Sequence, residues 1–198
     1  MKQSPQQHLD FPHSWSAEIL SALPMILPAH QFTYPLHVPG EEAAISRGAL
    51  HLLVHTPQAG DFLATCALGF DSASVPTGIW ACPHADDICA VAGGYAYIIR
   101  STHPSQSLFL PLRPVVAVHP LPDHNLLLFA GFHSLLAFGR DGLLWQTARL
   151  TWEGLRITEI SADTIHGFGW DLTTDRDVAF TVSLSTGHHT GGAFSSAK

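Results

Sequence analysis

The sequence predicts an all-β fold, an antiparallel meander of short strands, and three observations carry that expectation. Apolar runs of strand length recur along the chain, each bounded by Gly, Pro, Asn or Asp. Two of the boundaries, Gly93-Gly94 and Asp141-Gly142, are dipeptides that supply the positive φ angles of a tight hairpin. Only one segment, near the amino terminus, places apolar residues at helical spacing.

Residues 1–12 are largely Gln, Ser, Pro and His with little to bury, and read as a flexible arm. Residues 13–27 are expected to hold the one short N-terminal helix. Ser14 or Ser16 would cap it, Ile19 and Leu23 would share a face, and Pro24 would stop it. Pro28, Pro35 and Pro39 punctuate the next stretch, so residues 32–38 are at best an edge strand. Residues 49–55 give the first firm strand, with a turn at Pro57-Gln58-Ala59-Gly60 and a hairpin partner over 62–70. A short strand at 79–82 follows, then 88–92 and 95–100 on either side of the glycine pair, then 108–112, interrupted by Pro111.

Residues 115–161 are the most informative stretch, with turn signals at 120–124, Gly131, Asp141-Gly142 and Glu153-Gly154. Residues 164–170 and 178–184 then pair across the polar loop 171–177. A Gly-, Ser- and His-rich tail, 188–198, closes the chain, leaving 13–187 as a single β-rich domain.

At 198 residues the chain is long enough for one well-built core. Charged residues are 13%, about half the usual share, so His, Ser, Thr, Gln, Gly and Pro must cover the surface. The net charge is −7 with the 14 histidines neutral, and moves towards zero as they protonate near about 6.5. Only 9 residues are Lys or Arg, and Arg140, Arg149 and Arg156 are scattered, which argues against a nucleic-acid-binding surface. No segment has the apolar length of a membrane helix, and the start MKQSPQQH lacks a signal-peptide layout. Cys66, Cys82 and Cys89 are odd in number, which does not fit a disulfide framework and points to a reducing, cytoplasmic setting.

A weak internal repeat is present. Gly93, Gly131 and Gly167 each lie beside or within two residues of an aromatic, at spacings of 38 and 36 residues, and each is followed by a polar turn and another candidate strand. Periods near 40 residues with four strands apiece are those of propeller blades. Ala137-Phe138-Gly139-Arg140-Asp141-Gly142-Leu143-Leu144-Trp145 resembles the end of a blade in quinoprotein-like (PQQ-type) β-propellers, a resemblance covering residues 115–145 only. It implies that Trp145 packs against the following sheet. It transfers no cofactor ligand, since no motif here matches the family's. One four-stranded blade cannot bury both its faces alone, so the segment count fits either a small propeller-like array or a β-sandwich or barrel.

Candidate chemistry is sparse. Cys82-Pro83-His84 with Cys89 nearby, and Cys66 across the sheet, is the best metal-like grouping, because thiolates and imidazole suit zinc. Its spacing matches no usual zinc site, and free thiols beside a surface histidine are the simpler reading. Asp163, His166 and Asp171 could supply acid/base groups. Strand alternation nevertheless points His166 and Asp171 to opposite faces. No nucleophile elbow, phosphate loop, metalloprotease helix or dinucleotide fingerprint is present, and no cofactor is implied. Of the tryptophans, Trp145, Trp152 and Trp170 are binding candidates, with Asp171 beside the last, because indoles are favoured in interface hot spots. The expected function is therefore a non-catalytic cytoplasmic β domain that binds a protein partner or itself, with no role at membranes. The alternatives are a small enzyme with a loop-assembled His/Asp site and a metal-binding module using Cys82, His84 and Cys89.

Overall fold

A computed structural model describes residues 5–36, 45–57 and 60–194. The chain begins with β1 (Gln6–His8), β2 (Ser16–Leu20) and β3 (His30–Tyr34), followed by the long pair β4 (Ala49–Thr56) and β5 (Gly60–Ala67). Next come β6 (Gly78–Ala81), β7 (Asp87–Ala92), β8 (Tyr95–Arg100) and β9 (Ser107–Phe109). The third group is β10 (Val115–Leu121), β11 (Leu126–Gly131), β12 (Leu135–Gly139) and β13 (Gly142–Gln146). The last is β14 (Glu153–Ile160), β15 (Thr164–Asp171), β16 (Arg176–Ser183) and β17 (His189–Gly191).

These strands form four sheets. Sheet I has the order β2-β4-β5-β3, sheet II β1-β6-β7-β8-β9, sheet III β10-β11-β12-β13 and sheet IV β14-β15-β16-β17. Sheets III and IV are pure antiparallel meanders, as are β6 to β9 within sheet II. Sheets I and II are mixed, because β3 adds parallel to β5 and β1 adds parallel to β6. Gln6–His8, in the segment expected to be an arm, thus carry a strand pairing, and Phe11 behind them is buried.

The all-β class holds, but two parts of the expectation do not. Residues 13–27, where the N-terminal helix is expected, hold no helix. Ser16–Leu20 is β2, antiparallel to β4 with Ile19 opposite Leu52. Ala17 and Ile19 pack on the core while Ser16 and Glu18 alternate with them, so a period of two wins over the coincidental four-residue spacing of Ile19 and Leu23. The only helical turn among the described residues is the 3-10 turn Pro122–His124. Nor do the sheets close into a propeller ring or a barrel, or reduce to a two-sheet sandwich. They follow one another as separate open sheets.

The burial pattern shows how they pack. One apolar cluster joins sheets I, II and III, and a second joins III and IV. Sheet III serves both by strand alternation: Leu127, Phe129, Leu136 and Phe138 face the first cluster, while Leu126, Leu128, Ala130, Leu135 and Ala137 face the second. Strand β7 of sheet II is buried at every residue, as expected of a strand covered on both sides.

The hairpin signals hold where the sequence was strongest. Gly93 and Gly94 both take positive φ in the β7–β8 turn, and Asp141-Gly142 joins β12 to β13. The repeat is looser. Gly93 lies in a turn, Gly131 ends β11 and Gly167 is inside β15, so the three glycines do not occupy equivalent places. The sheets' second antiparallel strands do recur regularly, beginning at Asp87, Leu126 and Thr164. For the edge strand expected over 32–38, β3 spans His30–Tyr34 at the border of sheet I. Residues 37 and 38, like 58 and 59 of the Pro57 turn, lie outside the described residues.

Candidate functional site

The strongest surface feature is a cluster of aromatic side chains around Arg149. Three segments converge there: the β11–β12 turn, the connector 147–152 after β13, and residues 192–194. Backbone hydrogen bonds lace them together, with Leu150 N–H donating to the His133 carbonyl and Ala193 N–H to the Leu150 carbonyl, both at 2.7 Å. Thr151 Oγ1 donates to the Phe132 carbonyl. The connector is fixed further by Thr147, whose N–H donates to the Leu135 carbonyl and whose hydroxyl accepts from Leu135 N–H.

Upon this frame the Arg149 guanidinium lies 4.8 Å from the centre of the Trp152 ring and 5.2 Å from that of Phe194. The two rings are themselves 4.9 Å apart. Arg149 Nε donates to the Thr151 carbonyl and its terminal nitrogen to the Trp152 carbonyl, both at 3.1 Å. The same nitrogen reaches His133 Nδ1 at 3.5 Å. Phe132 and Phe194 are exposed, and Trp152 is half-buried. A planar cation stacked on an indole and tied to loop carbonyls holds these rings in place without burying them.

A second feature is an open cleft of about 510 Å³ between the edges of sheets II and III. His84, Asp87, Arg100, Gln106, Arg140 and Asp141 line it, with Ile98, Leu108 and Phe138 as its apolar part. Asp87 and Arg100 are register partners across β7 and β8, and both Arg100 Nε and its terminal nitrogen donate to the Asp87 carboxylate. Asp87 is buried and Arg100 partly exposed. Burial pushes the Asp87 carboxyl above its ordinary range, and the Arg100 guanidinium opposes the shift.

The sequence candidates separate. No group of three or more His, Cys, Asp or Glu among the described residues, Cys82, His84 and Cys89 included, is arranged to hold an ion. Cys66, Cys82 and Cys89 are buried in the first apolar cluster, and burial pushes all three thiols up. His84 instead sits at the cleft, with Nδ1 accepting from Asp86 N–H at 3.2 Å.

Trp145 is buried and structural, its Nε1–H donating to the Leu184 carbonyl. Trp170 is half-buried and donates to Asp175. Asp171 accepts from Thr173 N–H and from the hydroxyls of Thr173 and Thr174, which holds its carboxyl below the ordinary range and closes the β15–β16 turn. It does not converge with His166. Of the binding candidates, Trp152 alone belongs to the aromatic cluster. The meeting of Arg149, Phe132 and Phe194 has no signature in the sequence because it depends on three distant segments, and the Asp87–Arg100 pair has none because a cross-strand pair leaves no local spacing. No helix among the described residues is long and apolar enough to cross a membrane.

No family model matches the chain, and no curated protein does. Among solved structures it is similar to the N-terminal domain of Nup159, with 10% identity and a TM-score of 0.35. The match covers 98% of this chain and 55% of that one, so the chain spans about half the length of its structural neighbour. A likeness of that size carries no weight for function.

Proposed function

We propose that this chain is a protein-binding domain whose contact surface is the Arg149-centred cluster of Phe132, His133, Trp152 and Phe194. One observation carries the reading: a guanidinium fixed against both Trp152 and Phe194, which also touch each other, at a surface where Phe132 and Phe194 remain solvent-exposed. Trp and Arg are enriched in binding hot spots; Trp brings large area with few torsions to freeze, and the rotamer entropy Arg149 would otherwise lose on binding is already reduced by its bonds to loop carbonyls. The chain's low charge favours the same reading, since interface centres are depleted in charged residues.

Panning a displayed peptide library on the immobilised full chain tests it. Selected peptides are expected to lose about tenfold or more in affinity on Trp152→Ala, the size of a hot-spot truncation, and to be indifferent to Arg140→Gln at the cleft. Peptides that bind Trp152→Ala as well as the native chain, or a selection that yields none, would overturn the assignment.

A further inference from the structure

We propose that the cleft between sheets II and III binds a small molecule that carries a carboxylate on an apolar body. The argument begins with what the cleft offers. Arg140 projects from the β12–β13 turn and makes no hydrogen bond or ion pair among the described residues, so its guanidinium is an uncommitted fork of donors. Arg100 stands on the opposite wall. Its two bonds to Asp87 fix the guanidinium plane and leave its remaining N–H groups for a ligand. His84 accepts from Asp86 N–H on Nδ1, which places its own proton on Nε2 as a further donor. The Gln106 amide adds another. A carboxylate is the planar acceptor that guanidinium forks match.

Charge balance narrows the ligand further. The positive charge of Arg100 is offset by Asp87, and Asp141 stands beside Arg140 on the same turn. The charged lining therefore sums to zero, so a bound anion would be held by directed hydrogen bonds rather than by net charge, and polyanions are disfavoured. The same lining has an apolar part, Ile98 and Phe138, both buried, and Leu108, which is exposed. This is the division of an apolar body and a polar head, in a volume within the roughly 300–1,000 Å³ of small-molecule sites. Preorganisation helps as well: the Asp87 pair has already ordered Arg100, so binding need not.

Titration of the isotopically labelled full chain followed by amide NMR tests the proposal, with 3-phenylpropionate, its neutral amide, inorganic phosphate, and a Phe-terminated peptide as free acid or carboxamide. The free carboxylates are expected to shift amides around 84–87, 98–108 and 138–142, while phenylpropionamide and the amidated peptide do not. Arg140→Gln should weaken carboxylate binding about tenfold, the loss of one charge-assisted pair. Its exposed turn position keeps the fold intact, and Arg156→Gln, on β14 of sheet IV and outside both the cleft and the aromatic cluster, should leave the binding unchanged. If the small acid and the acid peptide both bind, the site reads the carboxylate; if only one does, that identifies the source. Equal binding of acid and amide, equal binding of phosphate, or no shift at the cleft would overturn the proposal.

Discussion

The indole N–H of Trp145 donates to the carbonyl of Leu184 at 2.9 Å, bridging the edge of sheet III to the residue just beyond β16 in sheet IV. Gly187 lies against the same ring, at positive φ, where an added Cβ would approach the indole within 2.7 Å. The last two sheets are thus locked by one side chain that needs both a partner carbonyl and a residue without a side chain. Trp145→Phe should cost about 1–3 kcal/mol, the price of a buried carbonyl left unpaired. Gly187→Ala should cost more than about 1 kcal/mol, because backbone strain adds to the collision. Urea unfolding of both variants measures this. Native-like midpoints would show that the two sheets are held by their apolar cluster alone.

The three thiols make a second test. Cys66, Cys82 and Cys89 are buried, and burial holds each in its protonated form. A thiol-reactive chromophore should release no colour from the native protein and three equivalents in denaturant. Rapid reaction of one thiol in the native state would place a cysteine at the surface.

How far the sequence disclosed this molecule depended on how local each feature is. The β7–β8 and β12–β13 hairpins were legible because Gly93-Gly94 and Asp141-Gly142 hold their reason within two residues. The β2 strand was not, because Ile19 and Leu23 mimic a helical pair and only the presence of β4 alongside decides for a strand. The parallel additions of β1 and β3 were equally hidden, since each pairs with a strand far along the chain. The same rule divides the sites. Trp152 was found by residue type, but the cation that orders it comes with Phe194 from another segment. Trp145 does bridge to the sheet that follows its own, but no family model matches the chain and the sheets do not close into the ring that the quinoprotein-like resemblance implied.

Acid should weaken the fold through two histidines. Burial lowers the ring pKa of His51, whose Nδ1 contacts Thr65 Oγ1, and of His119 in β10. The unfolded chain therefore takes up protons first as the pH falls below about 6.5, so it binds more protons than the native state in that window. Stability then falls with pH, from the unfolded value down to the lower folded values, and levels off beneath them. Urea midpoints between neutral and mildly acidic pH should decline, and His119→Gln should flatten part of the slope. An unchanged slope in both His119→Gln and His51→Gln would assign the acid sensitivity elsewhere.

Asp87 and Arg100 give the opposite pH signature. The folded carboxyl binds its proton at higher pH than the unfolded one, because burial outweighs the guanidinium, so its contribution to stability is present in acid and is lost as pH rises through the raised value. Arg100 limits that loss. Removing it strands a buried carboxylate, which for a fully buried pair costs about 3–5 kcal/mol. With Arg100 side-chain exposure at 36%, water can replace part of the interaction, and about 1–3 kcal/mol is the expected cost of Arg100→Gln at neutral pH. The variant should recover towards the native chain as acid protonates Asp87, and Arg100→Lys should restore part of the difference at neutral pH. Paired urea curves for the native chain and Arg100→Gln at neutral and acidic pH read this directly. A deficit of the same size at both would mean that the arginine contributes through the packing of its stem, and that Asp87 is not the group it protects.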